Sequence, residues 1–381
     1  MNRKIFFIVL AVFALFGYES CQAPEGQADS EPSRWTAEQA EQWYQAQGWL
    51  VGANFTPSTA VNQLEMWQAK TFDTATIDRE LGWAEAMGMN VMRVFLHDLL
   101  YEQDSSGFIQ RINTYLAIAD RHHIKTMFVL FDSCWDPFPS LGKQKAPRPH
   151  VHNSRWVQGP GQKALHDSTQ YPRLERYVKG IIQSFGQDQR VVVWDIWNEP
   201  DNKSNSYKDV GLPDKVDYVY PLLKKAFAWA RSVHPDQPLT SPLWGSGDWS
   251  SDSSLKPIEQ LQLAESDIIT FHNYGKPEDF EKRATELARY HRPLLCTEYL
   301  ARQNGSTFEN LLPFAKKQDI AMINWGLVAG KTQTNYPWDS WKKTYTAEPD
   351  LWQHDILRKD GQPYKTEEVD FIHEMTVAGS R

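Results

Sequence analysis

The chain has 381 residues, a formal net charge of −8 and 13% aromatic residues. This length suits either two or three average domains or one large barrel, and the aromatic residues supply enough apolar surface for a sizeable core. The negative charge argues against a nucleic-acid partner, because proteins bind phosphate backbones through Lys and Arg.

The N-terminal segment has the features of an export signal. Arg3 and Lys4 precede an apolar run at residues 5–16, which is too short to span a bilayer as a mature helix. Cys21 follows where a bacterial lipoprotein is cleaved and acylated, although the residues YESC depart from the usual lipoprotein signal. Residues 1–21 are therefore predicted to be a signal peptide, with lipidation at Cys21 and plain secretion as open alternatives. Both alternatives predict an exported protein, periplasmic or at the cell surface.

Residues 22–34 are polar, carry Pro and Gly and have no apolar period, so they are predicted to form a flexible tether. From residue 35 to 381, apolar segments rich in β-branched residues alternate with helices of 3.6-residue period. This alternation is typical of βα units around a parallel sheet. One such helix follows Asp73, with Ile77, Leu81 and Ala84 on one face and Gly88 as its stop.

Eight strands are predicted, each followed by a helix, which indicates a single (β/α)8 barrel. A doubly wound open sheet is the alternative, but it normally has a glycine-rich phosphate turn after its first strand, and residues 52–59 have none. The predicted strands are 50–55, 90–96, 125–131, 191–197, 238–244, 267–274, 293–299 and 320–327.

The connection after the third strand is unusually long. Residues 132–170 contain Trp, Pro, Gly and His without a helical period, and loops of this size are usually functional or disordered. Its aromatic residues favour an ordered loop. If this loop walls the site, it favours short substrates or chain ends.

Polar residues stand at the ends of several predicted strands, where the active site of a barrel lies. Strand 4 ends in Asn198 and Glu199 within WNEP, and strand 7 ends in Glu298 within TEY. Two carboxylates flanking one bond are what acetal hydrolysis requires, and opposite walls of a small barrel place them roughly 5 Å apart, the spacing of a retaining enzyme. The other strand-end candidates are Arg93, His97 and Asp98 on strand 2, His272 and Tyr274 on strand 6, and Trp325 on strand 8.

This set of strand ends resembles the retaining glycoside hydrolases of clan A, with family 5, the cellulase and mannanase family, as the closest form. The resemblance covers roughly residues 45–375. It implies that Glu199 is the acid/base, that Glu298 is the nucleophile and that Asn198 holds the 2-hydroxyl of the sugar. The resemblance also implies that Arg93 and Tyr274 orient Glu298 and keep it ionised. It further implies that His272 lines the site and that Trp325 forms the floor of the subsite where the sugar is attacked.

Two features indicate a divergent branch of the family. Many members have a His at the end of strand 3, where this chain has Asp132, Cys134 and Trp135, and strand 2 ends in the pair His97-Asp98. Both members of that pair are predicted to contact substrate. Trp135 and Trp244 follow strand ends and are predicted to stack on sugar faces.

The leading hypothesis is a retaining β-glycosidase that acts on a polysaccharide or oligosaccharide. A carbohydrate-binding barrel without turnover and an inverting enzyme are the alternatives. We expect a carbohydrate as partner, a monomer, no cofactor and no metal, because His122-His123 lacks metal-ligand spacing and no calcium-loop pattern is present. Cys134 and Cys296 are expected to be free, buried thiols on opposite sides of the barrel.

Overall fold

The computed structural model describes residues 33–245 and 247–377, so the predicted signal peptide and most of the tether lie outside the described residues. Eight parallel strands form one sheet, paired in the order β5-β4-β3-β2-β1-β8-β7-β6. A parallel bridge between Leu243 and Phe271 joins the two end strands and closes the barrel. The predicted (β/α)8 fold is confirmed. The strands are β1 Val51–Asn54, β2 Val91–Phe95, β3 Lys125–Asp132, β4 Val191–Asn198, β5 Leu239–Thr240, β6 Ile269–His272, β7 Leu294–Glu298 and β8 Ala321–Trp325.

The fifth strand is much shorter than predicted. It contains Leu239 and Thr240, whereas the apolar pattern predicted residues 238–244. Pro242 has no backbone N–H to donate to a ladder, and Ser241 donates its N–H to the Ser266 side chain instead. The sheet therefore resumes only at the Leu243 bridge.

Helices surround the barrel, and their apolar faces pack on the outer face of the sheet. Asp73 caps the second helix after β1, Thr74–Ala86, by accepting a 3.1 Å bond from the Thr76 N–H, and Gly88 follows this helix with φ +75°, as the sequence predicts for a helix stop. No helix among the described residues is long and apolar enough to cross a membrane. The helices are α1 Ala37–Gln45, α2 Gln63–Trp67, α3 Thr74–Ala86, α4 Asp98–Arg121, α5 Gln162–His166, α6 Tyr171–Phe185, α7 Lys215–Arg231, α8 Pro257–Glu265, α9 Pro277–Ala288, α10 Phe308–Lys317 and α11 Thr366–Val377.

A separate apolar cluster fills the N-terminal end of the barrel, opposite the predicted site. Helix α1 precedes the first strand and covers this end with Ala40 and Tyr44, which pack on side chains from the strand starts. The bottom of the barrel is therefore closed, and chemistry is confined to the other end. The strand residues in this cluster are Val91, Met127, Val192, Val193, Leu295, Ala321 and Ile323.

The long connection after β3 is ordered. Its first part folds back on itself through bridges between Asp132 and Gly159 and between Asp136 and Val157. Its second part contains α5 and a 3-10 turn at Ser168–Gln170, where the sequence showed no helical period. Cys134, in this loop, and Cys296, on β7, are both free and buried, as predicted.

Candidate active site

Arg93 organises the centre of the site from β2. Its side chain is fully buried, and each of its five N–H groups donates a hydrogen bond. Two go to Asp195 Oδ2 at 2.7 and 3.0 Å, and the others go to Asn54, Glu298 and Asn198. Burial disfavours the charged guanidinium, but the adjacent Asp195 and Glu298 carboxylates raise its pKa, so it remains cationic.

Glu298, the last residue of β7, is held on both carboxylate oxygens. Oε1 accepts from Arg93 Nη1 at 2.9 Å, and Oε2 accepts from the Tyr274 hydroxyl at 2.7 Å. Burial raises the pKa of Glu298 above its ordinary value, and the Arg93 charge and the Tyr274 hydrogen bond act against that rise. Both contacts favour the ionised form and fix the direction of the carboxylate.

Glu199 directly follows β4 and lies in a left-handed backbone conformation with φ +43°. This conformation is unfavourable for a residue with a side chain, and strain of this kind concentrates at functional sites. Its Oε2 accepts from Asn202 Nδ2 at 2.6 Å and from Cys134 Sγ at 3.3 Å. Burial raises the pKa of Glu199 to about 6, even though these two donors favour the carboxylate.

His272 lies between the two glutamates. Its Nδ1 is 2.7 Å from Glu199 Oε1 and 3.6 Å from Glu298 Oε2. Burial lowers the pKa of His272 to about 3, so the imidazole is neutral. One oxygen of each carboxylate and one His272 nitrogen all lie within 4.8 Å of one another.

A Glu-His-Glu set at this spacing is one that binds divalent metals in some proteins. Here hydrogen bonds account for the arrangement, because His272 contacts Glu199 and Tyr274 donates to Glu298. The Arg93 cation, 2.9 Å from Glu298, disfavours a second cation. We therefore assign no metal to these residues.

Asn198, the last residue of β4, is held by two neighbours. It accepts from Arg93 Nη2 at 2.6 Å and donates to Asp132 Oδ1 at 2.9 Å. Asp132 in turn accepts from Trp156 Nε1 at 2.6 Å. Asp132 at the end of β3 therefore orients Asn198 beside Glu199.

Three tryptophans predicted to contact sugar are half-buried: Trp325 ends β8, Trp135 lies in the loop after β3 and Trp244 lies in the loop after β5. Trp325 meets Phe95 and Trp156 edge to face, each at a centroid distance of 5.8 Å. Trp135 stacks on Trp341 at 5.4 Å, and Trp244 donates its indole N–H to Asp201, two residues beyond Glu199. Each has apolar ring surface at the C-terminal end of the barrel.

The structure does not bring His97 and Asp98 to the two glutamates. His97 precedes α4, accepts from the Leu99 N–H at 3.2 Å, and its Nε2 lies 2.9 Å from the Gln158 carbonyl oxygen. Asp98 pairs with Arg173 at 2.7 Å. Both are buried, so they join α4 to the long loop and α6, and their contacts give no support to the predicted substrate-binding role.

Four residues that contact Arg93 or Glu199 were not predicted from the sequence to belong to the site. Asp195 carried a signal, since a single carboxylate interrupts the buried strand VVVWDIW. Asn54 also ends a strand. Cys134 and Asn202, which contact Glu199, lie in loops where no spacing predicts their direction.

Comparison with known proteins identifies the family. The family described as "Cellulase (glycosyl hydrolase family 5)" matches residues 58–336, well over half of the chain. No curated protein matches the sequence significantly.

Solved structures share the fold at low sequence identity. The β-1,4-D-mannanase from Cryptopygus antarcticus has a TM-score of 0.57 at 10% identity, covering 86% of this chain and 90% of that chain. The exo-β-1,4-mannosidase Op5Man5 from Opitutaceae bacterium strain TAV5 has a TM-score of 0.55 at 18% identity, covering 87% and 59%. A GH5_18 variant from Bifidobacterium longum subsp. longum, in complex with Manβ1-4GlcNAc, has a TM-score of 0.54 at 14% identity, covering 87% and 78%.

The family match, the closed barrel and two buried glutamates at the ends of β4 and β7 agree with one another. The chain therefore belongs to glycosyl hydrolase family 5, the cellulase family of clan A, and is a glycoside hydrolase.

Proposed function

We propose that the protein is a retaining β-glycosidase that hydrolyses its substrate through a covalent glycosyl-enzyme intermediate. The observation that carries the proposal is the separation of the two carboxylates, whose nearest oxygens lie within 4.8 Å of one another. Retaining glycosidases hold their carboxyl groups about 5 Å apart, whereas inverting enzymes need about 6.5–9.5 Å to admit a water molecule. The short separation favours direct attack by one carboxylate over the inverting alternative.

The surroundings of each carboxylate support the assignment of roles. Glu298 is the nucleophile, because Arg93 and Tyr274 favour its ionised form and aim it into the site. Glu199 is the acid/base, because its pKa of about 6 allows it to give a proton to the departing oxygen and to take one from water. Asn198, held by Arg93 and Asp132, faces the 2-hydroxyl in this proposal, and Trp325 supports the sugar ring.

For the substrate class, we propose β-1,4-linked hexosides, with mannosides first. Structures of similar fold include mannanases from Cryptopygus antarcticus and Thermotoga petrophila and an exo-β-1,4-mannosidase. Because these proteins are at most 18% identical to this chain, glucosides belong in the same test.

The proposal is tested with a 2-deoxy-2-fluoro-β-glycosyl fluoride of the preferred sugar. The fluorine at C2 slows both the formation and the hydrolysis of the glycosyl-enzyme, and the fluoride leaving group restores the rate of formation. A retaining enzyme therefore accumulates the intermediate. We expect a mass increase of one fluoroglycosyl group on the peptide that contains Glu298, and none in Glu298→Gln.

Steady-state kinetics provide a second check. Glu298→Gln is expected to lower kcat on aryl β-glycosides by roughly three orders of magnitude or more, with Tm unchanged. A first-formed anomer of inverted configuration in NMR would contradict the retaining mechanism.

We also propose that the protein is exported and anchored through a lipid on Cys21, on the strength of the N-terminal charge and apolar run. Labelled palmitate is expected in the wild-type protein and absent from Cys21→Ala. A secreted, unlabelled wild type would favour plain secretion.

A further inference from the structure

Three loops at the C-terminal end of the barrel are bonded to one another. They follow β1 (residues 55–62), β3 (residues 133–161) and β8 (residues 326–357), and together we call them the wall. The Asn62 side chain donates to the Arg155 carbonyl at 2.8 Å, which joins the β1 loop to the β3 loop. The Asn153 N–H donates to the Thr332 carbonyl at 2.8 Å, and the Lys331 N–H donates to the Ser58 carbonyl at 3.0 Å. Each pair of loops is therefore connected directly.

The wall lies over one side of the barrel mouth. Strands β3, β2, β1 and β8 are consecutive neighbours in the sheet, so loops from three of them cover a continuous arc. Within the wall, Trp341 stacks on Trp135, and Trp338 reaches the ring of Tyr274 at a centroid distance of 5.1 Å.

Most residues that line the space beyond Trp325 are buried, and Thr56, Gly326 and Thr332 there are only partly exposed. The residues that line the space next to this tryptophan include Phe55, Phe95, Trp156 and Asp355, and none of these four is more than 2% exposed. An enzyme that cuts within a chain needs an exposed surface there for the next sugar. Buried lining residues instead close the cleft at the sugar that lies over Trp325.

The opposite side of the mouth is open. Beyond Glu199, Trp244 is half-buried and the residues after it, Gly245, Gly247 and Asp248, are exposed. The acid/base protonates the oxygen of the leaving group, so the leaving group lies on this open side. The wall therefore closes the glycone side of the cleft, which holds the sugar that the nucleophile attacks.

Asp355 gives the closed end a polar group. Its two oxygens accept from the Thr334 hydroxyl at 3.0 and 2.9 Å, and the Asn335 backbone N–H is a second donor, so these two donors leave lone pairs for another hydroxyl. The carboxylate packs against Gly326, the residue after Trp325, where an added side chain would collide with it. A sugar at a chain end presents a free hydroxyl here, whereas an internal sugar presents a glycosidic bond.

Given the proposed function on which this step rests, we propose that the enzyme acts at the non-reducing end and releases one terminal sugar at each cleavage. The wall excludes a second sugar beyond Trp325, and Asp355 accepts a hydrogen bond from the free hydroxyl of the terminal unit.

The direct test follows the products formed from β-1,4-manno- and gluco-oligosaccharides of three to six units that carry a label at the reducing end. We expect labelled products that shorten by one unit at a time, with an unlabelled monosaccharide as the other product. Early labelled fragments from the middle of the chain, or a rapid fall in the viscosity of a polymer, would overturn the proposal.

Aryl β-glycosides separate this inference from the proposed function. Hydrolysis of aryl glycosides together with internal cutting of oligosaccharides overturns chain-end action and leaves the retaining glycosidase intact. Failure to hydrolyse any aryl glycoside or oligosaccharide overturns both.

The wild-type enzyme also tests the closed end without any substitution in the protein. An aryl β-glycoside that carries a methyl group on its 4-hydroxyl is expected to lose at least about 100-fold in kcat/KM, because the wall has no room for it. An equal rate for the two substrates would contradict the closed end.

A pair of variants tests the carboxylate. Asp355→Asn is expected to lower kcat/KM on the labelled trisaccharide about 10- to 100-fold, mainly through KM. Glu286→Gln, the matched control, alters a buried carboxylate on α9 that pairs with Arg283 at 2.9 Å and should leave kcat/KM unchanged. Wild-type kcat/KM in a folded Asp355→Asn variant would overturn the role of Asp355.

Discussion

The chemistry of the site depends on how differently the protein surrounds two residues of the same type. Burial raises the pKa of both Glu199 and Glu298. Glu298 accepts from a cation and a phenol, while Glu199 accepts from an amide and a thiol and has a neutral His272 beside it. Of the two glutamates, Glu298 is the one that Arg93 contacts directly, which separates the roles of the two carboxylates.

The pKa of the acid/base predicts how kcat/KM depends on pH. Because Glu199 must be protonated to start the reaction and its pKa is about 6, kcat/KM is expected to fall as pH rises above about 6. Asn202→Ala removes a donor that favours the carboxylate, so the basic limb should move upward by about 0.5–1 pH unit. The measurement is kcat/KM on an aryl glycoside from pH 4 to 9.

Asn310→Ala is the control for this profile, because the Asn310 side chain is exposed and donates to the Gly305 carbonyl instead of to a group of the site. A basic limb that stays in place in Asn202→Ala would contradict the assignment of Glu199 as the group that titrates.

At the scale of elements, Arg93 connects four strands across the interior of the barrel. It bonds Asn54 on β1, Asp195 on β4 and Glu298 on β7 from its place on β2. Strand periodicity predicted these strands well, because both faces of the parallel strands are buried and their residues form apolar runs. The pairing of Arg93 with Asp195 could not be predicted, because it depends on the tilt of strands that are far apart in the sequence.

A substitution in β4 tests this connection. Asp195→Asn is expected to destabilise the fold by about 3–5 kcal/mol, because it leaves a buried guanidinium with one carboxylate instead of two. Glu175→Gln breaks a helix-surface pair with Lys179 at 2.6 Å and should cost at most about 1 kcal/mol. Urea unfolding followed by circular dichroism measures both, and equal losses would argue against a special role for the buried pair.

At the scale of the whole molecule, several buried acids hold their protons to unusually high pH. Burial raises the pKa of Glu80 and Asp355 to about 7 and that of Asp195 and Glu199 to about 6. Between about pH 4 and these values the folded state binds more protons than the unfolded state, so the free energy of unfolding falls as pH rises.

Buried histidines act in the opposite direction over a lower range. Burial lowers the pKa of His152 to about 4 and that of His272 to about 3, so only the unfolded state protonates them up to about pH 6.5. Their contribution makes the free energy of unfolding rise with pH up to about pH 6.5. The two sets therefore offset each other below pH 6.5, and above it the acids with a pKa of about 7 make stability fall as pH rises.

We accordingly expect Tm to change little from pH 5 to 6.5 and to fall from pH 6.5 to 8. Glu80→Gln should reduce that fall and raise Tm at pH 8 but not at pH 5, because an amide can accept from the Ser58 N–H without a charge. Scanning calorimetry across this range measures both, and a wild-type Tm that rises from pH 6.5 to 8 would contradict the expectation.

Some features of the protein follow from its sequence, and others follow only from its tertiary structure. The fold and most of the site could be predicted because strand ends are local features, and a closed barrel brings strand ends together. Arg93, Glu298 and Trp325 end or occupy a strand, and Glu199 and Tyr274 follow one within two residues. Contacts made by loops depend on where long connections settle, so the sequence could not show that the buried pair His97-Asp98 bonds to the long loop and α6. For the same reason it did not predict that Cys134 and Asn202 contact Glu199.

The wall is formed by loop contacts of this kind, which the sequence does not predict. Its loops come from β1, β3 and β8, and the bonds between Asn62 and Arg155 and between Asn153 and Thr332 join residues that are 93 and 179 positions apart. The sequence by itself determined the barrel and the two glutamates, because repeated local patterns specify strands and their ends. Only the tertiary structure decided which side of the cleft is closed, because that depends on long loops that are positioned by contacts with one another.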